Sequence, residues 1–153
     1  LREMYRLDPY VELMGKVPHE EIQHYYEWAD LFLFTGIVAK DGDRNGLANV
    51  IPEAMARGLP VLTTPDSGIT ENFKTDHELL ILPIRAIESW VQEIRSLAAD
   101  FDRRKRLGMT ARYWVERRFN ASKNSGKLYR LMEKDILSRR QQETPVSVGD
   151  STE

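Results

Sequence analysis

Two strand-length apolar runs on either side of one short helix constrain the fold of this chain more than any other feature. Leu31–Thr35 is a continuous apolar run, too short for an ordinary helix, and reads as a buried strand. Leu47–Arg57 reads as a helix closed by Gly58, a residue suited to the left-handed position that follows a helix end. Pro60–Thr64 then supplies a second apolar run. Strand, helix, strand in this order implies a right-handed crossover and a parallel sheet. Ligands of such sheets sit outside the carboxyl ends of the strands. The loops after Thr35 and Thr64 are therefore the expected binding edge.

The flanks extend this pattern. Leu1–Leu7 reads as the end of a helix, and Tyr10–Met14 as a strand. A helix is predicted from Pro18 to about Ala29, with Ile22, Tyr25, Tyr26 and Ala29 at helical spacing. Leu79–Leu82 reads as a fourth strand, stopped by Pro83. The C-terminal third reads as helical. Ile87, Trp90, Val91, Ile94, Leu97 and Ala98 step by three and four, a second helix carries Leu107, Ala111, Trp114 and Val115, and a third spans about Ser122–Leu137. The tryptophans, Tyr129 and Met132 are expected in the core. From Arg139 onward large apolar residues are few, so the division predicted is a domain over 1–137 and a disordered polar tail over 138–153. The fold class expected is α/β, a Rossmann-like parallel sheet with a helical C-terminal segment.

Composition excludes several function classes. A length of 153 residues suits one domain with a real core, and a formal net charge of −2 does not recommend nucleic acid as a partner. There is no cysteine, so neither a disulfide framework nor a thiolate metal site is possible. His19, His24 and His77 are scattered, and no metal site is expected. No apolar run approaches the roughly 20 residues that span a bilayer, and the N-terminal residues show no signal-peptide pattern.

The chemistry concentrates in Asn45–Glu71, NGLANVIPEAMARGLPVLTTPDSGITE. A glycine-containing loop feeding a helix start favours an anion, through unpaired N–H groups and the helix dipole. Gly46, Leu47 and Ala48 form that junction. Glu53, one to two turns into the helix, can accept hydrogen bonds from two neighbouring hydroxyls. Its other reading is a structural acid near a helix start. Together these features suggest a site for a diphosphate carrying sugar groups. Gly68, Ile69 and Glu71 read equally as a ligand loop or as a structural turn and helix cap. Lys40, Asp41, Asp43 and Arg44 read first as a solvated loop tip.

The same stretch resembles the donor-binding motif of retaining nucleotide-sugar glycosyltransferases, chiefly glycosyltransferase family 4 with its two-Rossmann-domain (GT-B) fold. Glu53-Ala54-Met55-Ala56, Gly58-Leu59-Pro60-Val61 and Ser67-Gly68-Ile69-Thr70-Glu71 carry the likeness, and it continues upstream through Val11–Val17 and Tyr25–Asp30. In all it covers about Leu1–Met132. It implies that Glu53 binds the donor ribose, that Gly46, Leu47 and Ala48 contact phosphate or donor sugar, and that Gly15 and Lys16 lie at the nucleobase turn. Thr35 falls near the phosphates, with a weak match to the motif, and Lys16 reads otherwise as a solvated lysine. Where the family usually carries an acid against the donor sugar, this chain has Asn45, which leaves tolerated variation, altered donor choice or weakened activity as readings.

The resemblance further implies a partial C-terminal donor domain, lacking its first strand, the diphosphate-neutralising Arg and Lys, and the N-terminal acceptor domain. The partners implied are a nucleotide-sugar donor, a glycan or lipid-linked acceptor and the missing N-terminal domain of the same chain. No separate cofactor and no metal are implied. The location expected is cytoplasmic, with peripheral association at the cytoplasmic membrane face allowed. Rival readings are a sugar epimerase or phosphorylase on the same scaffold, and a non-catalytic domain that binds nucleotide or a partner protein.

Overall fold

Three short strands, β1 (Phe32–Phe34), β2 (Val61–Thr63) and β3 (Leu80–Ile81), form one parallel sheet in the order β1-β2-β3. The computed structural model describes residues 4–43, 46, 48–68, 73 and 77–142. Phe32 pairs with Val61 and Phe34 with Thr63, while Leu62 pairs with Leu80 and Thr63 with Ile81. Helices α1 (His19–Trp28) and α2 (Val50–Ala56) flank β1 in sequence, and α3 (Ile87–Ala99), α4 (Phe101–Arg118) and α5 (Ala121–Gln142) follow β3. The chain divides into two units, residues 1–115 and 116–153.

In the first unit the central strand is buried along its whole length, as a parallel strand covered on both faces should be. Its alternation splits the core in two. Val61 joins Tyr26, Ile51, Ala54, Met55, Leu79, Ala111 and Val115 in one cluster. Leu62 joins Leu80, Trp90, Leu97 and Leu107 in the other. Thus α1, α2 and the α4 residues Ala111 and Val115 pack on one face, and α3 on the other. The Trp90 indole N–H donates to the Pro83 carbonyl at 3.0 Å, so burial leaves no orphan donor there. At the α3–α4 junction the Asp100 carboxylate caps α4 by accepting from the Arg103 N–H at 2.8 Å, and Arg104 donates to the last carbonyls of α3, Leu97 and Ala98.

The turn after α2 behaves as predicted. Gly58 has φ +77°, its N–H donates to Met55 O, and the Leu59 N–H reaches Ala54 O at 3.2 Å. Helix α4 rests on this turn. A Cβ placed on Gly108 would lie 1.9 Å from the Gly58 carbonyl oxygen. The second unit is the last turn of α4 and α5, with the Asn120 side chain accepting from the Lys123 N–H at 2.9 Å as an N-cap.

Several expectations are corrected. Tyr10–Met14 is not a strand. Residues 11–15 have no regular structure, because a strand needs a neighbouring edge for its N–H and C=O groups and the sheet offers them none among the described residues. Residues 4–6 form a turn rather than a helix end, with Leu7 O accepting from the Tyr10 and Val11 N–H groups. Helix α2 starts at Val50, not Leu47. That start keeps Pro52 in the first turn, where its missing N–H costs nothing, whereas a helix from Leu47 would have carried it in the interior. Helix α5 reaches Gln142, past the expected end at Leu137.

Trp90 is buried and Trp114 half-buried against Phe73, with ring centroids 3.9 Å apart, but Trp28, Tyr129 and Met132 are exposed. Trp28 lies roughly 200° around α1 from the packed Tyr26. Among the described residues no helix is long and apolar enough to cross a membrane.

Candidate functional site

Glu53 sits in the first turn of α2, where the helix dipole favours a carboxylate. Its neighbours Ile51, Ala54 and Met55 are fully buried and anchor the helix to the sheet. Glu53 itself is half-buried and faces α1. There the Tyr26 hydroxyl donates to its Oε2 at 3.2 Å, with the Val50 carbonyl next nearest at 3.5 Å. Tyr26 is 8% exposed, and its ring meets Phe32 edge to face, with centroids 5.8 Å apart. Burial, and then the charge and hydrogen bond of Glu53, push the Tyr26 hydroxyl pKa from 10.0 up to about 12.

A cleft of about 200 Å³ runs between α1 and α2, lined by His19, Gln23, Tyr26, Glu53 and Arg57 among others. Arg57 ties the two helices, donating to Glu27 Oε1 at 2.8 Å and Gln23 Oε1 at 2.7 Å. Among the described residues the only group bonded to the Glu53 carboxylate is the Tyr26 hydroxyl. An acid held in this way can accept hydrogen bonds from a hydroxyl-bearing ligand in the cleft.

The second assembly is at the carboxyl ends of β1 and β2. Thr63 Oγ1 donates to Phe34 O at 3.1 Å, and Thr64 Oγ1 donates to Gly36 O. Two threonines in an apolar run are thus satisfied while stitching the two strand ends together. Gly36 is packed tightly, since a Cβ there would come within 2.9 Å of the Phe34 ring and 3.3 Å of Asp66 O. Ser67, in the 3₁₀ turn Pro65–Ser67, is fully buried, and its hydroxyl has no hydrogen-bond partner among the described residues. Gly68 follows with φ +73°.

The predicted site residues among the described ones fall in three groups. Glu53 lines the cleft, and Ala48 is buried just ahead of α2, its carbonyl accepting from the Ile51 N–H at 2.9 Å. Gly15, with φ +66°, and Lys16 are exposed in the turn shortly before His19, which also lines the cleft. Thr35 and Gly46 are exposed, with Thr35 beside the stitched strand ends. Asn45 and Leu47, with Arg44, Ile69 and Glu71, lie outside the described residues. Sequence reasoning did not give Tyr26, Gln23 and Arg57 a place at the site. Tyr26 read as an ordinary apolar-face residue, although a buried tyrosine hydroxyl needs a partner, and that need was the available signal.

The family described as "Glycosyl transferases group 1" matches residues 1–100. The chain belongs to that family. It is 33% identical over 121 residues to the putative colanic acid biosynthesis glycosyltransferase WcaL of Escherichia coli, covering 78% of this chain and 30% of the relative. It is 46% identical over 65 residues to the amylovoran biosynthesis glycosyltransferase AmsK of Erwinia amylovora, covering 42% of this chain and 16% of that protein. Among solved structures, Anabaena HepE in complex with UDP and glucose superposes with a TM-score of 0.74 at 17% identity, over 87% of this chain and 34% of that one. At that identity the likeness speaks for the fold, an α/β domain of the GT-B type. The chain spans less than a third of the length of WcaL and AmsK.

Proposed function

We propose that this chain is the donor-binding part of an enzyme that moves a sugar from a nucleotide-diphosphate donor to a glycan or lipid-linked acceptor, with retention at the anomeric carbon, in cell-surface polysaccharide or glycolipid synthesis. The observation that carries the reading is the placement of Glu53. The acid of the Glu-Ala-Met-Ala motif stands in a cleft with its carboxylate held from one side by Tyr26. In this reading it accepts hydrogen bonds from the donor ribose. The names of WcaL and AmsK, both for polysaccharide biosynthesis, support the process, and the UDP and glucose in the HepE complex support the donor class.

Glu53→Gln tests the reading. In the whole protein it should weaken donor binding by about 1.5–3 kcal/mol, the scale of a hydrogen bond to a charged group, and leave the melting temperature nearly unchanged. Donor affinity equal to wild type would sink the ribose role. The reading also takes the leaving diphosphate to be stabilised by N–H groups and basic side chains, without metal or separate cofactor. Transfer should then persist in excess chelator, and loss on chelation with rescue by a divalent ion would count against it.

Asn45 keeps a second reading, a non-catalytic domain, in play. Turnover by the wild type excludes that reading, and turnover gained only with Asn45→Glu supports it.

A further inference from the structure

Tyr26 stands apart from the other buried aromatic residues because its one polar atom is spent on the candidate ligand-binding acid. The hydroxyl has two acceptors within reach, the Val50 carbonyl at 3.5 Å and Glu53 Oε2 at 3.2 Å, and the carboxylate is the nearer. Its ring is fixed by burial and by the edge-to-face contact with Phe32, itself the first residue of β1. The hydroxyl is therefore a donor held on the rigid sheet face. Glu53 is different. It is half-exposed, on a helix of seven residues, and its side chain has several rotamers to lose when a ligand binds.

We infer that Tyr26 is a positioning residue for the donor: its hydroxyl pins Glu53 Oε2 and so holds the carboxylate in the orientation from which Oε1 accepts the ribose 2′-hydroxyl. This rests on the ribose reading of Glu53. Tethering one carboxylate oxygen lowers the ordering cost of binding and sets the direction of the remaining lone pairs. A tyrosine hydroxyl is protonated at neutral pH and so is a donor to the carboxylate there; burial and Glu53 push its pKa further up, to about 12. A tyrosine that only joined α1 to α2 would support folding equally well, yet it would have no bearing on which sugar the cleft prefers.

That difference is measurable. UDP and GDP, each beside its 2′-deoxy form, are titrated calorimetrically into the whole protein as wild type, Tyr26→Phe, Glu53→Gln and the double variant. Wild type should prefer the ribonucleotide, and Glu53→Gln should abolish the preference. Tyr26→Phe should weaken ribonucleotide binding about three- to tenfold, the scale of one positioned hydrogen bond, and leave the 2′-deoxy form unaffected. In the Glu53→Gln background the same change should add less than about 1.5-fold, because residues acting as one unit are not additive. Replacing Tyr26 by p-aminophenylalanine, which restores a donor, should recover the preference.

A ribose preference untouched by Tyr26→Phe overturns the proposal, whatever the melting temperature does, and so do additive effects. If Glu53→Gln also leaves the preference intact, or neither nucleotide binds, the ribose reading fails and the proposal with it. If Glu53→Gln abolishes the preference and Tyr26→Phe does not, only the role of Tyr26 fails. Should Tyr26→Phe not fold, wild type labelled with ¹³C at tyrosine Cζ gives the same decision. The Tyr26 signal should shift with saturating ribonucleotide and not with the 2′-deoxy form, and equal shifts, or none, overturn the proposal.

Discussion

Residues 4–115 and helix α5 both carry large apolar residues, and the two regions cover them to different degrees. In the sheet unit Ile51, Met55, Leu62, Leu79 and Leu97 are fully buried. On α5, Leu128, Tyr129, Leu131, Met132, Ile136 and Leu137 are all exposed within the unit of residues 116–153. The difference is one of layers. A parallel sheet between helices gives the inward-facing apolar positions a surface to meet, although outward ones such as Trp28 and Leu33 stay exposed, while a helix described by itself gives its stripe none. Periodicity therefore says which residues share a face, and only the packing says whether that face is covered.

Substitutions can break or sharpen this contrast. The largest effect is expected at Leu62, 0% exposed on the central strand, where Leu62→Ala should cost about 2–5 kcal/mol in urea unfolding. Leu131→Ala, at a position 66% exposed, should stay within about 0.5 kcal/mol in the same assay. Equal costs would mean that the α5 stripe is covered in solution.

The glycines give the next contrast. Gly108→Ala forces a methyl onto the Gly58 carbonyl and should cost about 1–3 kcal/mol. Gly126→Ala, in the interior of α5 with nothing within 4 Å of the new Cβ, should instead stabilise by about 0.5–1 kcal/mol. A tolerated Gly108→Ala would show that α4 does not rest on the Gly58 turn.

A further contrast is a pH dependence at Tyr26, in the sheet unit. The folded-state pKa of Tyr26, about 12, lies above its ordinary 10.0, so folding favours the protonated hydroxyl. The stability gained is fully present below pH 10 and is lost as pH rises through about 12. Tyr26→Phe should remove this component and flatten the profile between those limits. Identical profiles for wild type and variant would indicate that the hydroxyl is solvated rather than bonded to Glu53.

Much of the site's setting was legible in the chain. The strands at Leu31–Thr35 and Pro60–Thr64, the helix stop at Gly58 and the acid at Glu53 each depend on local chemistry: strand-length apolar runs, a residue that accepts positive φ, a motif of fixed spacing. The later start of α2 was legible too, since Pro52 names the turn it must occupy, but the apolar pattern pointed earlier. The sheet's third strand, β3, fell where Leu79–Leu82 predicted it.

What the sequence determined by itself, then, was the order of strands and helices from α1 onward, the turn glycines and the family motif, because each is written in contiguous residues. Whether Tyr10–Met14 would find an edge to pair with, which aromatics would be covered, and that Tyr26 would give its hydroxyl to Glu53, 27 positions away, were decided only by the tertiary structure. Each of these depends on a partner distant in the chain, and a lone segment carries the need for a hydrogen bond or a covering surface without naming the group that meets it.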